Sequence, residues 1–86
     1  MDINSLNLII EKKISQNISC KKIIIEDKTY LHKKHQGHEK NKFHIKLKIK
    51  SDELLKMNKI ESTKKIYKIL DYELKEFIHS IQISIF

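Results

Sequence analysis

Arginine and proline are missing from this chain, and glycine and cysteine each occur once in its 86 residues. Without arginine the protein has no side chain for bidentate recognition of a base edge, which weakens any case for sequence-specific binding of nucleic acid. With Cys20 alone it can form neither an internal disulfide nor an all-cysteine metal cage. This cysteine usage fits a reducing compartment, and we expect the cytoplasm or the mitochondrion.

Long apolar runs and recognisable catalytic motifs are also missing. No stretch approaches the ~20 apolar residues that a membrane-spanning helix needs, so we expect no membrane partner. The first residues, Met1 to Asn4, include an early acid and lack the apolar run of a signal peptide. Acidic residues are not clustered, and no serine or cysteine belongs to a nucleophile motif with a positioned histidine. We therefore do not expect an enzyme.

What the chain does contain is lysine and isoleucine in large numbers. The eighteen basic residues are all lysines and give a formal net charge of +7. This charge favours an anionic partner, although a codon bias toward A and T explains the same composition. A length of 86 residues allows one compact domain spanning 1–86 but no deep catalytic cleft.

Hydrophobic periodicity predicts the elements and their order. The clearest signal is the strict alternation from Phe43 to Lys50, typical of a strand with one wet face. The full prediction is helix 2–15, strand 20–25, polar loop 27–41, strand 43–50, a short helical turn after Ser51, helix 61–77 and strand 78–86. Helices with one apolar stripe cover one face of a sheet, and the last helix can serve as a right-handed crossover. We therefore predict an α+β fold, a two-layer αββαβ sandwich with a three-stranded mixed sheet and helices on one face.

Five histidines are an excess for this length, and His32, His35 and His38 share the polar loop. Their spacing of three resembles that of zinc ligands, but a structural zinc site needs four ligands in a closed shell. For His35 and His38 a solvated position in the loop is the favoured interpretation. His44 opens the second strand on its polar face. His79 opens the last strand.

The alternation of the last strand predicts where His79 points. It precedes Ile81, Ile83 and Ile85 in phase, so we expect its side chain on the core side of the sheet. If the last strand runs parallel to the second, its start lies beside Phe43 and His44, close to the mouth of the loop. A lone histidine in such a place is most often a structural core residue.

Several segments resemble the BolA family in their order and spacing. The residues that carry this resemblance are Asp27-Lys28-Thr29-Tyr30-Leu31-His32, His32-Lys33-Lys34-His35, His44-Ile45-Lys46-Leu47 followed by Ile49 and Ser51-Asp52, and Ile66-Tyr67, Leu70, Glu73-Leu74 and Ile78-His79. They cover most of the chain. The family fold is an αββαβ arrangement akin to the class II KH domains, in agreement with the predicted order.

The resemblance also implies a function and a site. Members of the family are non-enzymatic and share a [2Fe-2S] cluster with a monothiol glutaredoxin that also holds glutathione. The resemblance assigns His32 and His79 as the cluster ligands, and we place His44 beside them as a hydrogen-bonding neighbour. Because one partner offers too few ligands, the cluster exists only in the hetero-complex. Alone, the protein is expected to be a cofactor-free monomer.

A nucleic-acid-binding transcriptional regulator is the alternative interpretation. The residues that favour it are the lysines Lys46, Lys48 and Lys50 on one strand and Lys64 and Lys65 on the second long helix. Against it, Ser62-Thr63-Lys64 stands where the family has an arginine–histidine–arginine trio, and Lys56 replaces a usual glycine. No glycine-rich KH loop is present. The lysine row also suits a solvated sheet face that discourages aggregation.

Overall fold

A computed structural model describes residues 1–29 and 42–86. Its elements are α1 (Ile3–Asn17), β1 (Lys22–Asp27), β2 (Phe43–Lys50), α2 (Asp52–Leu55), α3 (Lys59–Ile69), α4 (Asp71–Glu76) and β3 (Ile78–Ile85). No helix within the described residues is long and apolar enough to span a bilayer. The predicted order of long helix, two strands, helix and strand is confirmed.

A cap fixes the start of α1, and an apolar stripe packs the helix on the core. The Asp2 carboxylate accepts a hydrogen bond from the Ser5 amide at 2.8 Å, which satisfies an amide that the helix itself leaves without an acceptor. This bond lowers the pKa of Asp2. Leu6, Ile10 and Ile14 recur at a spacing of four, and all three are fully buried. The helix therefore packs by one stripe on the core.

The three strands form one mixed sheet in the order β1-β2-β3. β1 pairs antiparallel with β2, and β2 pairs parallel with β3. On one face, Ile45, Leu47 and Ile49 of β2 are buried against the helices and form the centre of the core. The intervening residues of β2 project to the opposite face, which no described helix covers. The predicted two-layer α+β sandwich is confirmed.

The second helical segment differs from its prediction because it is divided. We predicted one helix over 61–77, whereas α3 ends at Ile69 and α4 begins at Asp71, with Leu70 between them at φ −99° and ψ 19°. Leu70 is fully buried, and Ile66 and Leu74 lie four residues to either side of it. Because this apolar stripe continues through the turn, the periodicity alone does not reveal the break.

An ion pair joins α1 and α4, the first and last helices of the chain. Glu73 of α4 is only 2 % exposed, and both of its oxygens accept hydrogen bonds from Lys13 Nζ of α1, at 2.9 and 2.7 Å. A buried carboxylate is tolerated when such a partner satisfies it. The contact fixes α4, and with it the start of β3, relative to α1.

Candidate functional site

The starts of β2 and β3 lie side by side at one rim of the sheet. The two strands are parallel, and the Phe43 amide donates to the Phe77 carbonyl at 2.9 Å just before they begin. This arrangement brings His44 and His79 together, with their ring centroids 4.7 Å apart and the rings tilted by 45°. The predicted approach of these two histidines is confirmed.

The predicted direction of His79 is wrong, because a β-bulge interrupts the alternation. Phe43 pairs with Ile78, but His44 pairs with Ser80, so β3 contributes one extra residue at His79. Ile78 takes the core position and is 2 % exposed. His79 is exposed to solvent instead of pointing toward the core. Its imidazole can therefore meet a partner molecule.

His44 is the buried member of the pair. It lies on the sheet face opposite the helices, as predicted for the polar face, yet it is only 5 % exposed. Its Nδ1 lies 2.6 Å from the Ser80 hydroxyl oxygen. Ser80 could not be identified from the sequence, since only the register between two strands distant in sequence brings it to His44. The hydrogen bond and the contact with His79 hold the His44 ring in place.

The chain enters and leaves the polar loop at this same rim. The His44 amide donates to the Thr29 hydroxyl oxygen at 3.1 Å, and the Lys28 amide donates to the His44 carbonyl at 2.7 Å. The end of β1 is therefore tied to the start of β2. The loop histidines His32, His35 and His38 lie outside the described residues, so their assigned roles remain predictions.

The described residues do not form a complete metal site by themselves. Over residues 1–29 and 42–86, no three histidine, cysteine or acidic side chains come close enough together to hold a metal. Cys20 lies next to the pairing of Lys21 with Lys50, at the opposite end of the sheet, and packs against the core. The exposed imidazole of His79 lies at the other end, at the rim where β2 and β3 begin.

The five lysines of the nucleic-acid interpretation do not share one surface. Lys46, Lys48 and Lys50 project from the sheet face without helices, whereas Lys64 and Lys65 belong to α3 in the helical layer. The five lysines are thus divided between two sides of the molecule.

The positive charges of two of these lysines are also partly compensated by nearby carboxylates. Lys48 Nζ lies 3.4 Å from Glu26, and Lys65 Nζ lies 2.7 Å from Glu53. Partial desolvation raises the pKa of Glu26, but the charges of Lys48 and Lys28 outweigh it and hold the pKa below its ordinary value. The Lys65 hydrogen bond lowers the pKa of Glu53, and the Ser19 amide adds to this effect. Both carboxylates reduce the positive potential around their partners.

Comparison with known proteins gives a consistent result. The family model described as BolA-like protein matches residues 14–86. The DNA-binding transcriptional regulator BolA of Haemophilus influenzae is 30 % identical over 82 residues, which cover 95 % of this chain and 77 % of the relative.

Solved structures agree with this comparison. The BolA domain of SufE1 from Arabidopsis thaliana superimposes with a TM-score of 0.76 at 25 % identity, over 99 % of this chain and 92 % of that one. BolA1 from the same plant gives 0.72 at 25 % identity, over 88 % and 84 %. The BolA1 protein of Mus musculus, at 17 % identity, shares the fold with a TM-score of 0.71, over 90 % of this chain and 60 % of that one.

Proposed function

This chain belongs to the BolA family, and on that premise we propose that it is a non-enzymatic adaptor that shares a [2Fe-2S] cluster with a monothiol glutaredoxin. The observation that carries the proposal is the exposed imidazole of His79 at the rim of the sheet, packed against the buried ring of His44. No described residue forms a hydrogen bond with the His79 ring, so its nitrogens are available to a ligand.

Imidazole is a suitable donor for this role. Two neutral histidines can bind one iron of a [2Fe-2S] centre and raise its reduction potential. The other iron would be held by the glutaredoxin cysteine and glutathione, so neither protein holds the cluster alone. The ring of His79 rests on His44, which Ser80 fixes in turn, and this packing limits the orientations that His79 samples before the partner arrives.

The second ligand in the proposal is His32. It lies outside the described residues and follows Thr29 by three positions in the sequence. The Thr29 hydroxyl oxygen accepts a hydrogen bond from the His44 amide at the rim. His35 and His38 are further along the chain and remain the weaker candidates.

The decisive experiment mixes the protein with a cluster-loaded monothiol glutaredoxin and records the visible spectrum. We expect His79→Ala and His32→Ala to abolish the spectral change of the hetero-complex, because each removes one ligand of the same iron. His35→Ala and His38→Ala serve as matched controls and should leave the spectrum unchanged. Circular dichroism checks that each variant is folded. A folded His79→Ala variant with the wild-type spectrum would contradict the ligand assignment.

Binding of nucleic acid is the second candidate, and it is favoured by the name of the Haemophilus influenzae relative. The row Lys46, Lys48 and Lys50 can contact phosphates, while Lys64 and Lys65 lie on the other side of the molecule. We therefore expect only weak binding that is blind to sequence and decreases by about 0.9 log units per contacted phosphate per log unit of salt. A preference of roughly 10³-fold for one DNA site at physiological salt, measured against random DNA, would favour a specific regulator instead.

A further inference from the structure

The strand β3 is an edge of the sheet that carries no carboxylate side chain, no lysine and no arginine. From Phe77 to Phe86 the sequence contains no aspartate, glutamate, lysine or arginine. Within the described residues, β3 pairs only with β2, so its second edge is unpaired. The opposite edge strand, β1, carries charges at Lys22, Glu26 and Asp27. Because charged side chains are the usual protection of an edge against added strands, β3 is the unprotected edge.

The backbone groups that face outward can be assigned. The Phe86 amide donates to the Ile49 carbonyl and the Phe86 carbonyl accepts from the Ser51 amide, both at 3.0 Å, so both groups of Phe86 point toward β2. Alternate residues of a strand direct their backbone groups to opposite edges. The amides and carbonyls of Ile81, Ile83 and Ile85 therefore point away from β2 and offer donors and acceptors to another strand.

An apolar groove accompanies this edge. It has a volume of about 340 Å³ and lies between the second half of β3 and the helices α2 and α3, where Leu55, Met57, Ile83 and Ile85 line it. Ile49 of the central strand is fully buried, whereas Ile83 and Ile85 remain partly exposed and Leu55 is 55 % exposed. The helical layer thus leaves the outer side of β3 partly uncovered.

Lysines flank the edge on both faces of the sheet. Lys59 lines the groove on the helical side, whereas Lys50, on the face without helices, has its Nζ 5.9 Å from the centre of the Phe86 ring at the end of the strand. Among the described residues, no aspartate or glutamate lines the groove. The two carboxylates of α2 lie close to lysines, Asp52 to Lys21 and Glu53 to Lys65. A ligand at this edge therefore meets Lys59 on one face of the sheet and Lys50 on the other.

We propose that the free edge of β3 and this groove bind an extended acidic segment of a partner protein, which adds to the sheet as a fourth strand. Its backbone pairs with the outward groups of β3, and apolar side chains at alternate positions enter the groove. Its acidic residues alternate with the apolar ones, so they lie on the face without helices and pair with Lys50. The groove lies roughly 13–20 Å along the strand from His79, so it is separate from the histidine rim.

A second copy of this chain fits the edge less well. Two copies would each carry a net charge of +7 and repel each other. Pairing through this single edge would also have to bury the roughly 1,000 Å² that a stable interface needs. An acidic segment removes the first obstacle, and a peptide motif that binds weakly does not need the larger area.

The test uses two blocked peptides, one of alternating valine and glutamate and one of alternating valine and lysine. Amide chemical shifts and hydrogen exchange of the full chain are recorded during titration with each peptide. We expect the glutamate peptide to shift the amides of Ile81, Ile83 and Ile85 and to slow their exchange, and to bind at least about tenfold more tightly than the lysine peptide. Equal affinity, or shifts located elsewhere on the molecule, would overturn the proposal.

A matched pair of variants tests whether the peptide binds at the groove beside β3. Leu55→Glu places a negative charge at the groove, and Leu8→Glu places the same charge on α1 at a residue that is 68 % exposed. We expect about tenfold weaker binding of the glutamate peptide to the first variant and unchanged binding to the second. Unchanged binding to a folded Leu55→Glu variant contradicts the proposal. The proposal is also contradicted if the free protein sediments as a dimer in which the amides of Ile81, Ile83 and Ile85 are already protected from hydrogen exchange.

Discussion

The exposed position of His79 results from one extra residue at the start of β3. A bulge leaves His79 without a register partner and shifts the following residues by one position, so that Ser80 rather than His79 lies opposite His44. The same shift brings the Ser80 hydroxyl to the buried His44 Nδ1. At the scale of single residues, the bulge thus leaves the His79 imidazole accessible to solvent, while the buried His44 imidazole packs against it and supports it.

This arrangement predicts a specific cost for losing Ser80. We expect Ser80→Ala to lower the free energy of unfolding by about 0.5–1.5 kcal/mol, because a buried imidazole nitrogen loses its partner. Ser84→Ala is the matched control, since Ser84 lies on the same strand and the same sheet face opposite Lys48. Urea unfolding compares the two variants. If both lose the same amount, the hydrogen bond to His44 does not contribute to stability.

The short helix α2 contacts its neighbours through the buried Leu54 and through polar bonds of Glu53. This carboxylate accepts hydrogen bonds from Lys65 of α3 at 2.7 Å and from the Ser19 amide, which precedes β1, at 3.2 Å. Ser51 caps the same helix by accepting from the Leu54 amide at 3.1 Å. At the scale of the elements, a few polar contacts therefore position the helices beside the groove.

The lowered pKa of Glu53 predicts how its contribution varies with pH. A carboxyl group whose folded-state pKa lies below its unfolded value stabilises the protein above the unfolded pKa, and this stability is lost as pH falls through the folded value. We therefore expect Glu53→Gln to lower the Tm at pH 7 and to approach the wild type below about pH 4. Glu76→Gln changes an exposed glutamate as a control. A Tm difference that persists unchanged to pH 3 would contradict the assignment.

The pair of Lys13 and Glu73 predicts a coupling between α1 and α4. Because Glu73 is buried and Lys13 is about 38 % exposed on its side chain, the pair lies between surface and buried ion pairs. A double-mutant cycle with Lys13→Met and Glu73→Gln should give a coupling energy of about 1–2 kcal/mol. The exposed pair of Lys75 and Asp71 provides the comparison, with an expected value of about 0.3–0.5 kcal/mol. Equal coupling energies for both pairs would show that the burial of Glu73 does not strengthen its interaction with Lys13.

The whole molecule depends on one small core between the sheet and the helices. Leu47 lies at its centre and is fully buried, as are Leu6 and Ile66 of the helices that cover it. A domain of this size has a free energy of unfolding of roughly 4–13 kcal/mol. No other buried cluster supports the sheet within residues 1–29 and 42–86. Single core substitutions should therefore have large effects.

Replacement of Leu47 tests this expectation. We expect Leu47→Ala to cost about 2–5 kcal/mol through lost burial and the cavity that remains. Leu8→Ala removes the same atoms from an exposed site and should change the stability by less than about 0.5 kcal/mol. Chemical denaturation measures both variants. A cost for Leu47→Ala near that of Leu8→Ala would mean that the core is not centred on β2.

Much of the fold could be predicted because its signals are local. The alternation from Phe43 to Lys50 predicts β2 with the observed bounds. Ile3, Leu6, Ile10 and Ile14 recur at helical spacing and predict α1, but Leu8, which with Ile9 was expected to broaden this stripe, is 68 % exposed. The division of the second helical segment could not be predicted, because the apolar spacing continues through Leu70. The proximity of His44 and His79 could be predicted from the parallel crossover, while the loop histidines remain predictions.

The sequence by itself determined the order of the main elements and the buried face of β2, because periodicity is a property of neighbouring residues. It also determined that an imidazole opens β3. Only the tertiary structure decided that this imidazole is exposed, that Ser80 supports His44 and that the edge of β3 is free beside an apolar groove. These features depend on the register between strands, and His44 and Ser80 are 36 positions apart in the sequence. No local pattern records such a register, since a shift of one residue moves every following side chain to the other face.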